Sequence, residues 1–226
     1  MTPEAALAAL NAHAVPGKAA GLVGYHKVDR PYLGVAAQAI DALCRDWRAG
    51  LTLEARLALA AGLWDSNVHE ARIAAAKLLT QARIRPDGDV WALIASCWVP
   101  QFDGWAVADA VSIAGQKRLV ADPARLDEVE HWATSPNLWT RRAALVMTLP
   151  WTKQNHPKPQ ESAARDRILG WAAGWAADHD PVIQKALAQW LRDLSRHAPA
   201  RTDAFLADHG TAMKPWAVRE AAGNLP

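Results

Sequence analysis

The chain has 226 residues, 51% of them hydrophobic, and a formal net charge of +2, which is apolar enough for a sizeable core and excludes a disordered chain. No uninterrupted apolar run approaches the roughly 18 residues of a membrane span. The opening MTPEAALAALNAHAVPGK lacks the cationic start and apolar stretch of a secretory leader, so a cytoplasmic protein is expected.

Cys44 and Cys97 stand apart, with no CxxC or Cys/His cluster, and read as reduced core residues. Of the 25 basic residues, 17 are Arg, whose planar fork suits phosphate better than an ammonium does. Twelve tryptophans against two Phe and two Tyr make the indole the main aromatic filler.

In chain order, alanine, leucine and arginine dominate, and prolines at 3, 16, 31, 86, 100, 123, 136, 150, 181, 199 and 215 punctuate them. Several suit a first helical turn, where the missing N–H costs nothing. The pattern predicts about twelve helices, near 4–13, 17–26, 34–48, 53–64, 67–83, 87–97, 103–119, 123–133, 137–148, 160–177, 181–197 and 200–224, the last broken near Gly210. No alternating β-branched run bounded by turns occurs. WTKQNHPKPQ at 151–160 reads as a loop, in which Lys153 and Lys158 are solvated or reach toward a polyanion.

A short pattern recurs, with a bulky apolar residue, then a cation three or four places on, then small residues. It appears at VHEARIAAAKLL, LWTRRAALVMTL, PVIQKALAQWLR and PWAVREAAGNL. The slots Arg72, Asp109, Arg142, Lys185 and Arg219 are 37, 33, 43 and 34 residues apart, and a helix-pair repeat spans about 40 residues. The expected fold is an all-α superhelix, a solenoid of HEAT-like helix pairs forming one domain over 1–226. Arg72, Arg142, Lys185 and Arg219 would then line one inner face, either as a track for a phosphate backbone or as salt-bridge partners between repeats.

DGWAVADAVS, residues 103–112, breaks the row of cations. Trp105 and Asp109 are four apart and share a helix face, with Phe102 and Ser112 extending the stripe, while Val107, Val111 and Ala114 supply a separate apolar side. A large indole beside a carboxylate suggests a groove-facing stripe.

With these residues in place, the chain resembles the AlkD-type DNA alkylation-repair glycosylases, built from HEAT-like helix pairs, over about Gly24 to Leu225. The resemblance is carried by YHKVDRPYLGV (25–35), LWDSNVHEARIAAAKLL (63–79), WAVAD (105–109), NLWTRRAALV (137–146), VIQKALAQWLRD (182–193) and KPWAVREAA (214–222), in that order. It implies hydrolysis of the N-glycosidic bond of cationic alkylated purines, of the 3-methyladenine and 7-methylguanine type, in duplex DNA. It also implies a monomer needing no metal or cofactor and not extruding the base. Asp109 would stabilise the electron-poor sugar and Trp105 would lie against the deoxyribose. Arg142, Lys27 and Arg219 would hold the backbone, with Tyr25 close to the DNA and Lys185 in the same cationic row.

Two departures stand out. Where the family places a second DNA-facing Trp, ungapped alignment puts Gln189, with Trp190 one residue and about 100° further round the helix. The catalytic helix also has Ala106, Val107 and Ala108 where the family carries extra polar residues. These leave open a non-catalytic paralogue binding distorted or branched DNA; a HEAT-type protein adaptor is the remaining alternative. No Gly-rich phosphate loop, GxSxG elbow or HExxH occurs, and the eight histidines are scattered.

Overall fold

Proline sets where many helices begin. In the computed structural model, which describes residues 1–225, Pro3, Pro16, Pro159, Pro181, Pro199 and Pro215 each open a helix. Side chains of Thr2, Thr52, Asn137 and Asp180 accept backbone N–H bonds from the first turn that follows each of them. The described residues contain no strand. The helices are α1 Pro3–Asn11, α2 Pro16–His26, α3 Ala37–Gly50, α4 Leu53–Asp65, α5 His69–Leu78, α6 Gly88–Ala92 and α7 Trp105–Ala121. They continue as α8 Leu126–Trp132, α9 Leu138–Met147, α10 Pro159–Gly174, α11 Pro181–Ser195, α12 Pro199–His209 and α13 Pro215–Ala221.

The expected all-α class is what forms, and the boundaries differ for identifiable reasons. α5 stops at Leu78 rather than running to 83, and the carbonyls of Gln81 and Ala82 instead accept from the buried Arg118 guanidinium at 2.6 and 3.3 Å. Residues 27–36 form a non-helical segment, held in part by the Glu70 carboxylate, which accepts the N–H groups of Leu33 and Gly34 at 3.0 and 2.7 Å. After α6 the chain widens into a π-helical stretch, Leu93–Trp98, then tightens to a 3₁₀ turn, Val99–Gln101. The break expected near Gly210 is a 3₁₀ turn at Gly210–Ala212, which separates α12 from α13.

The chain resolves into two compact units, one of residues 1–118 and one from Leu119 on, divided within α7. In the first, α5 is the central element. It packs on α3 and α4, and α1 lies against all three. Its alanines Ala71, Ala74, Ala75 and Ala76 are wholly buried, which lets neighbouring backbones approach closely. Trp64 and Trp98 stack at 4.7 Å, with the Arg72 guanidinium 4.5 Å from the Trp64 ring centroid and donating to the Trp64 carbonyl and Gln101 Oε1. Arg72, expected on an open inner face, is therefore a core residue. Of the cysteines, Cys44 is buried as expected, and burial pushes its thiol up to about 12; Cys97 is instead exposed.

In the second unit α11 packs between α9 and α13, and α8, α10 and α12 accompany them as partner helices. Ion pairs stitch successive pairs: Arg167 to Asp127 and Glu130, Arg201 to Asp166, and Arg192 to Glu220. Buried Gln184 donates to the carbonyls of Trp175, Ala176 and Asp178 and accepts the Lys214 N–H at 2.8 Å, tying the end of α10 to the start of α13. Buried Arg165 donates to the carbonyls of Trp151 and Gln154, both at 3.0 Å, and so fixes the loop before α10.

Candidate functional site

α7 begins at Trp105 because Gly104 and the Asp103 turn end the preceding 3₁₀ segment and the Gly104 carbonyl accepts from Ala108. Val107, Val111 and Ala114 are buried, as the apolar side of the sequence pattern requires. Phe102 and Ser112 are buried too, and the Ser112 hydroxyl donates to the Ala108 carbonyl at 2.7 Å, so neither extends the accessible stripe. What remains on that face is Trp105, 40% exposed, and Asp109, half-buried one turn later.

Trp105 is set in an aromatic cluster. The Tyr25 ring meets it edge-on at 5.9 Å and an interplanar angle of 86°, and the His26 ring lies 5.2 Å away. Tyr25 is 67% exposed, so the two large rings form an open aromatic corner. Behind it, His26, Tyr32 and His69 pack within 4.5–5.8 Å of one another. Three segments converge to make this: the end of α2, the non-helical residues 27–36 and the start of α5, where the Pro31 carbonyl accepts the His69 N–H at 2.9 Å. Asp103 pairs with Arg30, whose side chain is almost wholly buried. Burial drives the His69 imidazole down to about 4 and also lowers that of His26. Both are neutral at neutral pH.

Lys27 closes α2 in a left-handed conformation, φ 54°, with its side chain exposed. In the second unit, Arg142, Lys185 and Arg219 are each the fifth residue of α9, α11 and α13, and Asp109 is the fifth of α7. Lys185 and Arg219 are exposed, and neither has an ion-pair partner among the described residues; Arg142 is half-buried and engaged. The cations that join repeats are others, Arg167, Arg192 and Arg201. Gln189 is half-buried on α11. Trp190, expected among the DNA-facing residues, is wholly enclosed in the second unit and cannot present its ring to a ligand. The 100° step along α11 puts it in the core.

Sequence patterning does not signal that His26, His69, Arg30 and Asp103 belong with Trp105, since they are contributed by separate segments. The only hint is that YHKVDRPY and WDSNVHEA both fall within segments that carry the family resemblance. No group of three or more His, Cys, Asp or Glu residues suited to a metal occurs among the described residues. No helix there is long and apolar enough to cross a membrane.

A family model described as "DNA alkylation repair enzyme" matches residues 6–225. Among solved structures, a "predicted DNA alkylation repair enzyme" of Enterococcus faecalis superposes with a TM-score of 0.77 at 21% identity, covering 94% of this chain and 97% of that one. AlkD2 of Streptococcus mutans superposes with a TM-score of 0.61 at 18% identity, covering 92% and 96%. At these identities the likeness establishes a shared fold. No curated protein matches the sequence.

Proposed function

The chain belongs to the DNA alkylation repair enzyme family, and we propose that within it the protein is an N-glycosylase that removes cationic alkylated purines from duplex DNA. The observation that carries this reading is the exposed Trp105 ring, buttressed by Tyr25, with Asp109 one helical turn away.

An N-alkylated purine is already positive and leaves readily. As its bond to C1′ lengthens, the electron pair passes to the base and neutralises it, while the sugar takes on oxocarbenium character. A carboxylate held close to that sugar stabilises the developing charge and orients the attacking water, whose proton passes to the carboxylate or to solvent. Asp109 has the charge for this, and Trp105 offers a flat apolar surface for the deoxyribose. An open corner, rather than a deep pocket, suits reaction on a base that is not swung out of the stack; most glycosylases do swing it out. Lys27, Arg142, Lys185 and Arg219 would contact phosphates, as would Gln189 on α11. The working form is a monomer, acting as a single repeat domain.

Burial of Trp190 favours one second reading, because it leaves α11 without the exposed indole that would grip the strand: a non-catalytic paralogue that binds distorted or branched DNA. Purified protein incubated with N-methylated duplex is expected to release free methylpurine faster than spontaneous depurination. Salt-sensitive binding with no release would favour the second reading instead.

A further inference from the structure

The titratable cluster behind Trp105 has no part in the chemistry described so far. Its centre is His26, whose ring touches four others: Tyr25 at 5.0 Å, Trp105 at 5.2 Å, His69 at 4.5 Å and Tyr32 at 5.8 Å. The flanking contacts differ in exposure. Trp105 and Tyr25 are exposed, whereas His69 is buried at the N-terminus of α5, where the Glu70 carboxylate and the His69 N–H also bind the 31–34 segment. The His26 ring is thus the link between an anchored layer and an exposed indole.

We propose that His26 is a positioning residue acting through Trp105: its ring backs the indole against the buried α5 layer. This rests on the glycosylase reading.

The groups around it determine which protonation state is held. On its own helix are Tyr25 and the neighbouring Lys27; from the 27–36 segment come Arg30 and Tyr32; from α5, His69 and Glu70; from the α7 side, Asp103 and Trp105. Both carboxylates are already engaged, Glu70 by two backbone N–H groups and Asp103 by Arg30. Burial and the Arg30 charge lower the His26 value, with Glu70 opposing them. A bound proton here would place a cation against the back of the indole, in a site built for a positively charged purine.

The test is initial-rate release of 7-methylguanine from methylated duplex DNA between pH 5 and 8, corrected for spontaneous loss, using wild-type protein, His26→Phe and His26→Ala, each checked by thermal melting. His26→Phe keeps a ring against Trp105 but cannot be protonated. It is expected to hold kcat within about twofold of wild type at pH 7.5 and to lose the acid-side fall that wild type shows. His26→Ala removes the backing and is expected to lower kcat about tenfold, with KM changed less than about threefold. If His26→Ala fails to fold, the His26→Phe profile decides alone. An active wild type with a His26→Phe profile superimposable on its own, or an unchanged kcat in folded His26→Ala, overturns this assignment and leaves the glycosylase reading standing. A wild-type protein that releases no base overturns both.

Discussion

His69 is 5% exposed, packed against the rings of His26 and Tyr32, and burial holds its pKa at about 4. An unfolded chain would bind a proton there at about pH 6.5. The folded value lies below the unfolded one, so protonation favours unfolding. The group costs nothing above about pH 6.5 and erodes stability as the pH falls from there toward 4, by about 1.4 kcal/mol per unit; below 4 the loss levels off. His26 acts in the same direction. His69→Phe, which keeps a ring in place, is therefore expected to lose less stability than wild type between pH 7 and 5 in urea unfolding. Parallel losses in the two proteins would show that the buried imidazole is not the cause.

At the scale of elements, the non-helical segment 27–36 is what brings these rings together, and Gly34 is its tightest point. Its φ is +74°, and a Cβ built there would lie 2.4 Å from the Val15 carbonyl oxygen and 2.7 Å from the Ala19 nitrogen, both backbone atoms of the α2 start. Gly34→Ala should destabilise the protein by at least about 2 kcal/mol, read as a lower urea midpoint with an unchanged slope. A melting curve like that of wild type would mean the segment can shift at little cost. Helix starts were legible in the sequence because proline and the Thr, Asn and Asp caps act locally. The end of α5 and the non-helical residues 34–36 were not, since each is set by a distant side chain: Arg118 takes the carbonyls after α5, and Glu70 takes the N–H groups of Leu33 and Gly34. The site divides the same way. Trp105 above Asp109 follows from helical spacing, but Trp190's burial and Arg72's stacking on Trp64 depend on what packs against them.

For the molecule as a whole, a net charge of +2 gives little general attraction to a polyanion, so affinity for DNA must come from particular cations. Lys185 and Arg219, exposed and outside the ion pairs that join the repeats, are the clearest of these. Lys185→Ala and Arg219→Ala should each weaken duplex binding and reduce the slope of log affinity against log salt by about one. Arg192→Ala, which breaks the pair with Glu220, should instead reduce stability while leaving the salt slope as it was. Equal slopes for all three variants would place the DNA contact elsewhere. The most direct test of the central claim is single-turnover release of methylated purine from duplex DNA by wild-type protein and Asp109→Asn. Wild type is expected to release base, and Asp109→Asn to release it at least about a hundredfold more slowly while binding the duplex with similar affinity. Release by Asp109→Asn at the wild-type rate would contradict a role for that carboxylate in the reaction.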